Sequence, residues 1–285
     1  MSFNSTLAAE SEFGRGHIVD ALIDERAVNL MKHPIVWRVV KKCAKAVLAY
    51  KRAVQVSDTI KPMSGRDVFE LLSQMLQLQV EFDGIEHIPR SGRAIITPNH
   101  PAGIADGIAL WDMLRGVRDD VIFLANRDCI RVCKRLAEHV IPVEWREGHR
   151  SKSRTRETSS ALIQAVRDER LVVIFPSGRL ARPTMTGLEE HEWHPTAVSA
   201  AQKYDAPLYP MYIKARNTVA FYLMWLINNE IKDMMLFREL LNKRGQKYRI
   251  TLGERFPVDG EIRDVTARLR GFVVDQLRHG ITRPK

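Results

Sequence analysis

An α/β fold, in which helices flank a largely parallel central sheet, is the architecture that the sequence predicts. The first observation is a set of short apolar runs with the composition of buried strands. These runs cover residues 94–96, 121–124, 140–143, 171–175, 208–213 and 248–252. The second observation is that patterns with helical spacing lie between them, as in residues 158–166. Strands that alternate with helices favour a parallel sheet, because a parallel pair needs a long crossover connection.

A helical region is predicted before the sheet. Apolar residues recur at helical spacing over residues 33–54 and again over 66–78, on either side of a break at Pro62. We therefore divide the chain into residues 1–79, which hold an N-terminal tail and helices, and residues 80–285, which form the α/β domain.

The chain is basic, which predicts a negatively charged partner. It has 285 residues, 45% of them hydrophobic, and a net charge of +10. It is therefore long enough for a substantial core, and nucleic acid, an anionic membrane or a phosphorylated substrate would match its charge. Residues 32–52 contain seven Lys or Arg and no acid. A basic amphipathic helix of this kind can dock in the headgroup region of an anionic bilayer, although a helix packed on the domain with a solvated face explains the same pattern.

The sequence argues against a membrane-spanning protein, a disulfide-stabilised protein and a zinc protein. The longest apolar run, residues 219–227, has nine residues, and a membrane-spanning helix needs about 20. Three cysteines do not make a disulfide framework. His191 and His194 are three residues apart, unlike the zinc motif with ligands at i and i+4. We expect peripheral membrane contact, no metal site and no cofactor.

The first motif that points to chemistry follows the strand predicted at residues 94–96. It reads Asn99-His100-Pro101-Ala102-Gly103-Ile104-Ala105-Asp106-Gly107. His100 can act as a general base near neutral pH, and Asp106 can orient the ring by accepting a hydrogen bond from the other ring nitrogen. An N-cap role for Asp106 explains the same spacing without catalysis.

The second motif follows the strand predicted at residues 171–175. It reads Phe175-Pro176-Ser177-Gly178-Arg179. The planar fork of arginine matches phosphate or carboxylate oxygens, and Gly178 leaves space for close approach of a ligand to the backbone. Arg179 is therefore the first candidate for binding an anionic head group, followed by Arg146 and Arg182. A solvent-facing charge is the alternative for each arginine.

Together the two motifs resemble the glycerolipid acyltransferase family that includes the 1-acylglycerol-3-phosphate acyltransferases, and more particularly its hemolysin-like bacterial branch. The similarity covers residues 80–257 and includes the strand Pro207-Leu208-Tyr209-Pro210 in family order. The family has four residues between its histidine and aspartate, whereas five lie between His100 and Asp106. Ser177 stands where the family has glutamate.

The resemblance implies an O-acyltransferase that moves a fatty acyl group from acyl-CoA or acyl-carrier protein to a lysolipid hydroxyl in membrane lipid synthesis. His100 and Asp106 are the implied catalytic residues. The implied substrate-binding residues are Asn99, Gly103, Arg146, Ser177, Gly178, Arg179 and Arg182. Lysophosphatidic acid is the family's usual acceptor, and the departure at Ser177 favours another one, such as a lysophospholipid or a lyso-ornithine lipid.

Two other function classes stay open from the sequence alone. One is a lipid hydrolase at the same site, although Phe-Pro-Ser-Gly lacks the Gly-x-Ser-x-Gly pattern of a serine nucleophile. The other is a noncatalytic protein that binds membrane or nucleic acid through its basic charge. Residues 32–52 offer only Trp37 and Tyr50 as aromatic partners for bases, so we expect no nucleic-acid partner. We expect a peripheral enzyme at the cytoplasmic face of the inner membrane, and the oligomeric state stays open.

Overall fold

A seven-stranded, mostly parallel sheet forms the centre of the protein, as the sequence predicts. The computed structural model describes residues 16–47, 49–144, 147–149, 151–185 and 187–284. The sheet has the order β1-β9-β8-β2-β5-β3-β4, and β8 and β9 form its antiparallel pair. Its strands are β1 (Gln79–Asp83), β2 (Ala94–Pro98), β3 (Ile122–Asn126), β4 (Val140–Val143), β5 (Leu171–Ile174), β8 (Leu208–Lys214) and β9 (Lys247–Leu252). The hairpin of β6 (Arg182–Thr184) and β7 (Gly187–Glu189) lies outside the sheet.

Helices cover both faces of the sheet. They are α1 (Ile18–Glu25), α2 (Pro34–Val47), α3 (Tyr50–Ile60), α4 (Gly65–Leu76), α5 (Ile104–Leu114), α6 (Asp128–Val132), α7 (Lys152–Arg167), α8 (Thr196–Tyr204), α9 (Val219–Ile227), α10 (Asn229–Met234), α11 (Leu236–Leu241) and α12 (Ile262–Gly271). One buried cluster joins α4 and α5 to the sheet, and Phe69 of α4 stacks on Trp111 of α5 with ring centroids 4.7 Å apart. A second cluster joins α7, α8 and α12 to the other face. Within the described residues, no helix is both long and apolar enough to cross a membrane.

All six strands predicted from apolar runs are confirmed. Helices cover both faces of the sheet, so consecutive side chains of a strand, which point to opposite faces, are both buried and apolar. The single helix predicted over residues 33–54 is wrong. The chain breaks between α2 and α3, where Ala49 has a φ of 53° in the left-handed region, which cannot continue a right-handed helix. The sequence analysis also missed β1, which is largely exposed and so lacks an apolar run.

The N-terminal helices contact the domain through ion pairs and a third apolar cluster. Arg26, next to α1, pairs with Asp128 of α6 at 2.7 Å, and Arg131 pairs with Glu25 at 2.6 Å. A small buried cluster then joins α1 to α9 and α10, and Trp37 of α2 packs against it. This third cluster therefore links segments from opposite ends of the chain.

Candidate active site

The loop between β2 and α5 brings His100 and Asp106 together. The Nδ1 atom of His100 lies 2.9 Å from Oδ2 of Asp106. The His100 side chain is 21% exposed, whereas the Asp106 side chain is fully buried. The Nε2 atom of His100 makes no hydrogen bond with any described residue. This ring nitrogen is therefore available to a substrate, while the other is occupied by the carboxylate.

The extra residue of this loop is accommodated without loss of the dyad. Gly103 adopts a φ of 91°, a conformation that other residues rarely reach, and it turns the chain into α5. Oδ2 of Asp106 accepts two further hydrogen bonds, from the backbone N–H groups of Ala102 at 2.9 Å and Gly103 at 3.0 Å. Gly103 is the N-cap residue of α5, so the N-cap interpretation of Asp106 is wrong. Asp106 lies two positions further on than the first helical residue, at N3, where it orients His100 and also accepts from the N-cap backbone.

Glu190 is a residue of this site that the sequence analysis missed as a functional candidate. Its Oε1 atom accepts a hydrogen bond from the backbone N–H of His100 at 2.7 Å, and its Oε2 atom accepts one from the indole of Trp193 at 3.3 Å. The buried carboxylate thereby fixes the backbone from which the histidine projects. Its signal in the sequence is weak, because it lies 90 residues downstream in a run of acids.

The second motif lies against the dyad loop. Phe175 contacts the His100 ring, with centroids 4.3 Å apart, and the N–H of Ala181 donates to the carbonyl of His100 at 2.9 Å. Ser177 is buried and its Oγ donates to the carbonyl of Arg179 at 2.8 Å. Gly178 has a φ of 59°, so the motif turns sharply and carries Arg179 to the surface. The two strand-end loops therefore form one site.

The remaining candidates occupy different positions. Asn99 is buried, and its side chain exchanges two hydrogen bonds with the backbone of Ile213 at 2.6 and 3.0 Å, which locks the end of β2 to β8. Arg182 is exposed and pairs with Glu189 across the β6–β7 hairpin at 2.8 Å. Arg146 lies outside the described residues.

Positive charge surrounds the outer side of the site. Burial lowers the pKa of His191, and the charges of Arg179 and Arg182 lower it further. A cleft of about 1120 Å³ is lined by Asn99 and Pro101 of the dyad loop and by basic residues of β8, β9 and the C-terminal helices. No cluster of three or more metal-ligating side chains occurs in the described part of the chain.

This arrangement suits base-catalysed attack by a substrate hydroxyl. His100 has one nitrogen held by a carboxylate and one open, as a general base requires. Ser177 donates its hydroxyl to the backbone carbonyl of Arg179 and not to His100. The geometry therefore favours direct attack by a bound hydroxyl over a serine nucleophile.

Comparison with known proteins agrees with this geometry. The family described as "Acyltransferase" matches residues 79–214, a segment that spans both motifs. This match and the two relatives described below support the resemblance to the glycerolipid acyltransferase family. The chain is an acyltransferase enzyme, so the noncatalytic alternative no longer applies.

Two curated relatives of this acyltransferase are named lyso-glycine lipid O-acyltransferases. The protein from Phocaeicola vulgatus is 26% identical over 200 residues, which cover 68% of this chain and 70% of the relative. The protein from Bacteroides thetaiotaomicron is 23% identical over 249 residues, which cover 83% and 89%. The crystal structure of the 1-acyl-sn-glycerophosphate (LPA) acyltransferase PlsC from Thermotoga maritima is 14% identical, covers 93% of this chain and 97% of its own, and has a TM-score of 0.50. At that identity the likeness concerns the fold.

Proposed function

We propose that this acyltransferase esterifies the hydroxyl of a lysolipid with a fatty acyl group from a thioester donor. The observation that carries the proposal is the 2.9 Å contact between His100 Nδ1 and Asp106 Oδ2, with the opposite ring nitrogen open. The two curated relatives, whose names describe O-acyl transfer to a lysolipid, support the same reaction.

The proposed reaction needs no covalent enzyme intermediate. His100 Nε2 removes the proton from the acceptor hydroxyl as its oxygen attacks the thioester carbonyl, and a C–O bond forms. The tetrahedral intermediate collapses with cleavage of the C–S bond, and the imidazolium returns the proton to the leaving thiolate. Asp106 stabilises the imidazolium between these two steps, because its carboxylate is fixed against Nδ1.

The proposed acceptor is a lysolipid with an anionic head group other than that of lysophosphatidic acid. Arg179 is exposed beside the dyad loop, and its charge reaches His191, so an anion can approach it from solvent. Ser177 stands where the family has glutamate, and its hydroxyl donates a hydrogen bond to the carbonyl of Arg179. Ser177 therefore stabilises the loop conformation and brings no negative charge to the site. A carboxylate head group, such as that of a lyso-glycine lipid, matches an arginine fork. A clear preference of the purified enzyme for lysophosphatidic acid in an acceptor panel would contradict this assignment.

The proposed donor carries phosphate, as coenzyme A and the phosphopantetheine arm of a carrier protein both do. Support comes from the cleft beside Asn99, where the side chains of Lys214, Lys247 and Arg278 make no ion pair with any described residue. Competition between acyl-CoA and acyl-carrier protein in one reaction identifies the preferred source.

The proposed location is the cytoplasmic surface of the inner membrane, with peripheral attachment. Support comes from a patch that we call the apolar surface. It consists of Ile35, Val36 and Val39 on α2 and Val219, Leu223, Leu226 and Ile227 on α9. Seven of the thirteen exposed large apolar side chains in the described residues lie in this patch, and both helices pack their inner faces on the same small cluster. Arg38 and Lys42 flank it with the charge that anionic lipid attracts.

The test combines one substitution with product analysis. His100→Ala should lower acyl transfer by about a thousandfold, because the general base is lost, while the circular dichroism spectrum stays that of the folded parent. His279→Ala, which changes an exposed histidine near the C-terminus, is the matched control and should retain full activity. A radiolabelled acyl thioester distinguishes transfer to the lysolipid from release as free fatty acid. Full activity of His100→Ala contradicts the mechanism, and free fatty acid as the main product favours the hydrolase.

A further inference from the structure

Three partly or fully buried side chains from the C-terminal part of the chain lie near Asp106. They are Tyr222 of α9, Lys243 after α11 and Tyr248 of β9, and the charge of Asp106 acts on all three. Burial raises the pKa of both tyrosines and lowers the pKa of Lys243, and Asp106 adds to the rise for the tyrosines. All three residues lie beyond residues 79–214, the segment that the family match covers.

The hydrogen bonds among the described residues of this region leave Oδ1 of Asp106 and the hydroxyl of Tyr248 unused, as well as the side-chain amide of Asn217. Lys243 donates to the carbonyl of Arg216 at 2.6 Å, and the hydroxyl of Tyr222 accepts from the N–H of Asn217 at 2.9 Å. Oδ2 of Asp106 takes three hydrogen bonds, as described above. Oδ1 of Asp106 is buried and takes none from the described residues, and the buried hydroxyl of Tyr248 likewise has no partner among them.

An unused buried carboxylate oxygen and an unused buried phenol are both costly. Each loses its hydration on folding and gains nothing in return, a penalty that is larger for a charged group. Tyr248 belongs to the buried cluster between α5 and the sheet, which also contains Ala105, the neighbour of the buried Asp106, and the Asp106 carboxylate acts on the phenol. A hydrogen bond between them would satisfy both atoms at once.

We propose that Tyr248 is a positioning residue that donates a hydrogen bond to Oδ1 of Asp106 in the working enzyme. The phenol fixes the rotation of the carboxylate, so that Oδ2 stays directed at Nδ1 of His100. It also draws part of the negative charge toward Oδ1, which moderates the stabilisation of the imidazolium. This assignment rests on the proposed acyl transfer, because its effect on the reaction is exerted through His100.

The kinetic test is Tyr248→Phe, which removes one oxygen and keeps the ring. We expect kcat/KM to fall about tenfold, with the change in kcat and little change in KM, because the fully buried Tyr248 side chain acts through Asp106. Without the phenol, the carboxylate stabilises the imidazolium more strongly. The acidic limb of the pH profile of kcat/KM should therefore shift to higher pH by about half a unit. The other titratable and charged groups near the carboxylate, namely Tyr222, Lys243 and Glu239, are unchanged in the variant. Tyr209→Phe, a buried tyrosine of the same cluster on β8, is the matched control and should show neither effect.

A stability measurement tests the same bond without using the reaction. If the bond forms, Tyr248→Phe lowers Tm by about 3 °C, and it has a smaller effect in an Asp106→Asn background, because the partner charge is gone. If the phenol is a true orphan, Tyr248→Phe removes an unsatisfied buried group, so that Tm rises in both backgrounds while the pH profile stays in place. That result overturns the proposal. A parent enzyme that transfers no acyl group refutes the proposed function alone, since the double-mutant cycle still reports on the bond.

Discussion

The dyad loop and the apolar surface are stabilised by different interactions. In the dyad loop, residues 99–106, hydrogen bonds to buried partners fix the Asn99 side chain, the His100 backbone and the Asp106 Oδ2 atom. The apolar surface shows the reverse arrangement. Ile35 is 79% exposed and Leu226 is 77% exposed, and only the inner faces of their helices pack on a small cluster.

The difference separates two requirements of a lipid-modifying enzyme. Proton transfer depends on atoms held within a few tenths of an ångström, which buried hydrogen bonds provide. Contact with a bilayer needs exposed apolar area, which a soluble environment penalises and a lipid surface stabilises. Substitutions in the loop should therefore change kcat and leave vesicle binding intact. Substitutions in the apolar surface should do the opposite.

The largest effect is expected from Asp106→Asn. The amide has nearly the same shape but no negative charge, so it cannot stabilise the imidazolium that forms during transfer. We expect kcat to fall by about a thousandfold, with vesicle binding unchanged in a sedimentation assay. Asp112→Asn is the matched control, because it changes another aspartate of α5 that contacts Ser73 on α4 and lies outside the site. Equal losses in the two variants would mean that α5 is merely destabilised.

The sequence was sufficient for the parts of this site that are local. The β2 and β5 strands were visible as apolar runs, and both proposed catalytic residues lie within eight residues of the end of β2. Their contact could be predicted because a short loop leaves few ways to separate two side chains. The extra loop residue left the dyad geometry uncertain from the sequence, and Gly103 explains how the contact is kept.

The parts that could not be predicted are long-range contacts. Glu190 meets His100 across 90 residues, and nothing in its acidic neighbourhood distinguishes it from a solvated charge. Tyr248 lies in a run that we correctly predicted as a strand, and its alternation with Ile250 and Leu252 on the buried side gave no reason to expect a polar role. Which strand neighbours which is set by the topology of the sheet, and hydrophobic patterns carry little information about that order.

A charge placed in the apolar surface should have a smaller effect than the loss of the Asp106 charge, and the effect should be on vesicle binding. Leu226→Glu replaces an exposed side chain with a charge that anionic lipid repels, so affinity for vesicles containing phosphatidylglycerol should fall about tenfold. Turnover of a short-chain, monomeric lysolipid should stay within about twofold, since the Leu226 side chain is exposed to solvent. Ile281→Glu is the control, because Ile281 is an exposed apolar residue outside the patch. If both variants bind vesicles like the parent, the apolar surface does not meet the membrane.

The smallest effect is expected at Arg179 of the second motif and at Arg182 of β6, the two described arginines proposed to bind the head group. Arg179 makes no ion pair with the described residues, whereas Arg182 pairs with Glu189. Arg179→Ala should therefore raise KM for an anionic lysolipid about fivefold, more than Arg182→Ala does, with kcat nearly constant. Equal effects of the two substitutions would contradict this ranking.

The ring of His191 provides an independent measurement of the same charge. Its pKa lies below the ordinary value of 6.5, first because of burial and next because of Arg179, so the folded state binds fewer protons than the unfolded state just below that pH. The free energy of unfolding consequently falls as the pH drops from about 6.5 toward the folded-state pKa. Arg179→Ala should raise the pKa of His191 in an NMR titration and weaken this loss of stability. An anionic lysolipid bound at Arg179 should also raise the pKa of His191 in the parent enzyme. If the His191 titration curve is the same with and without the lysolipid, the head group does not bind at Arg179.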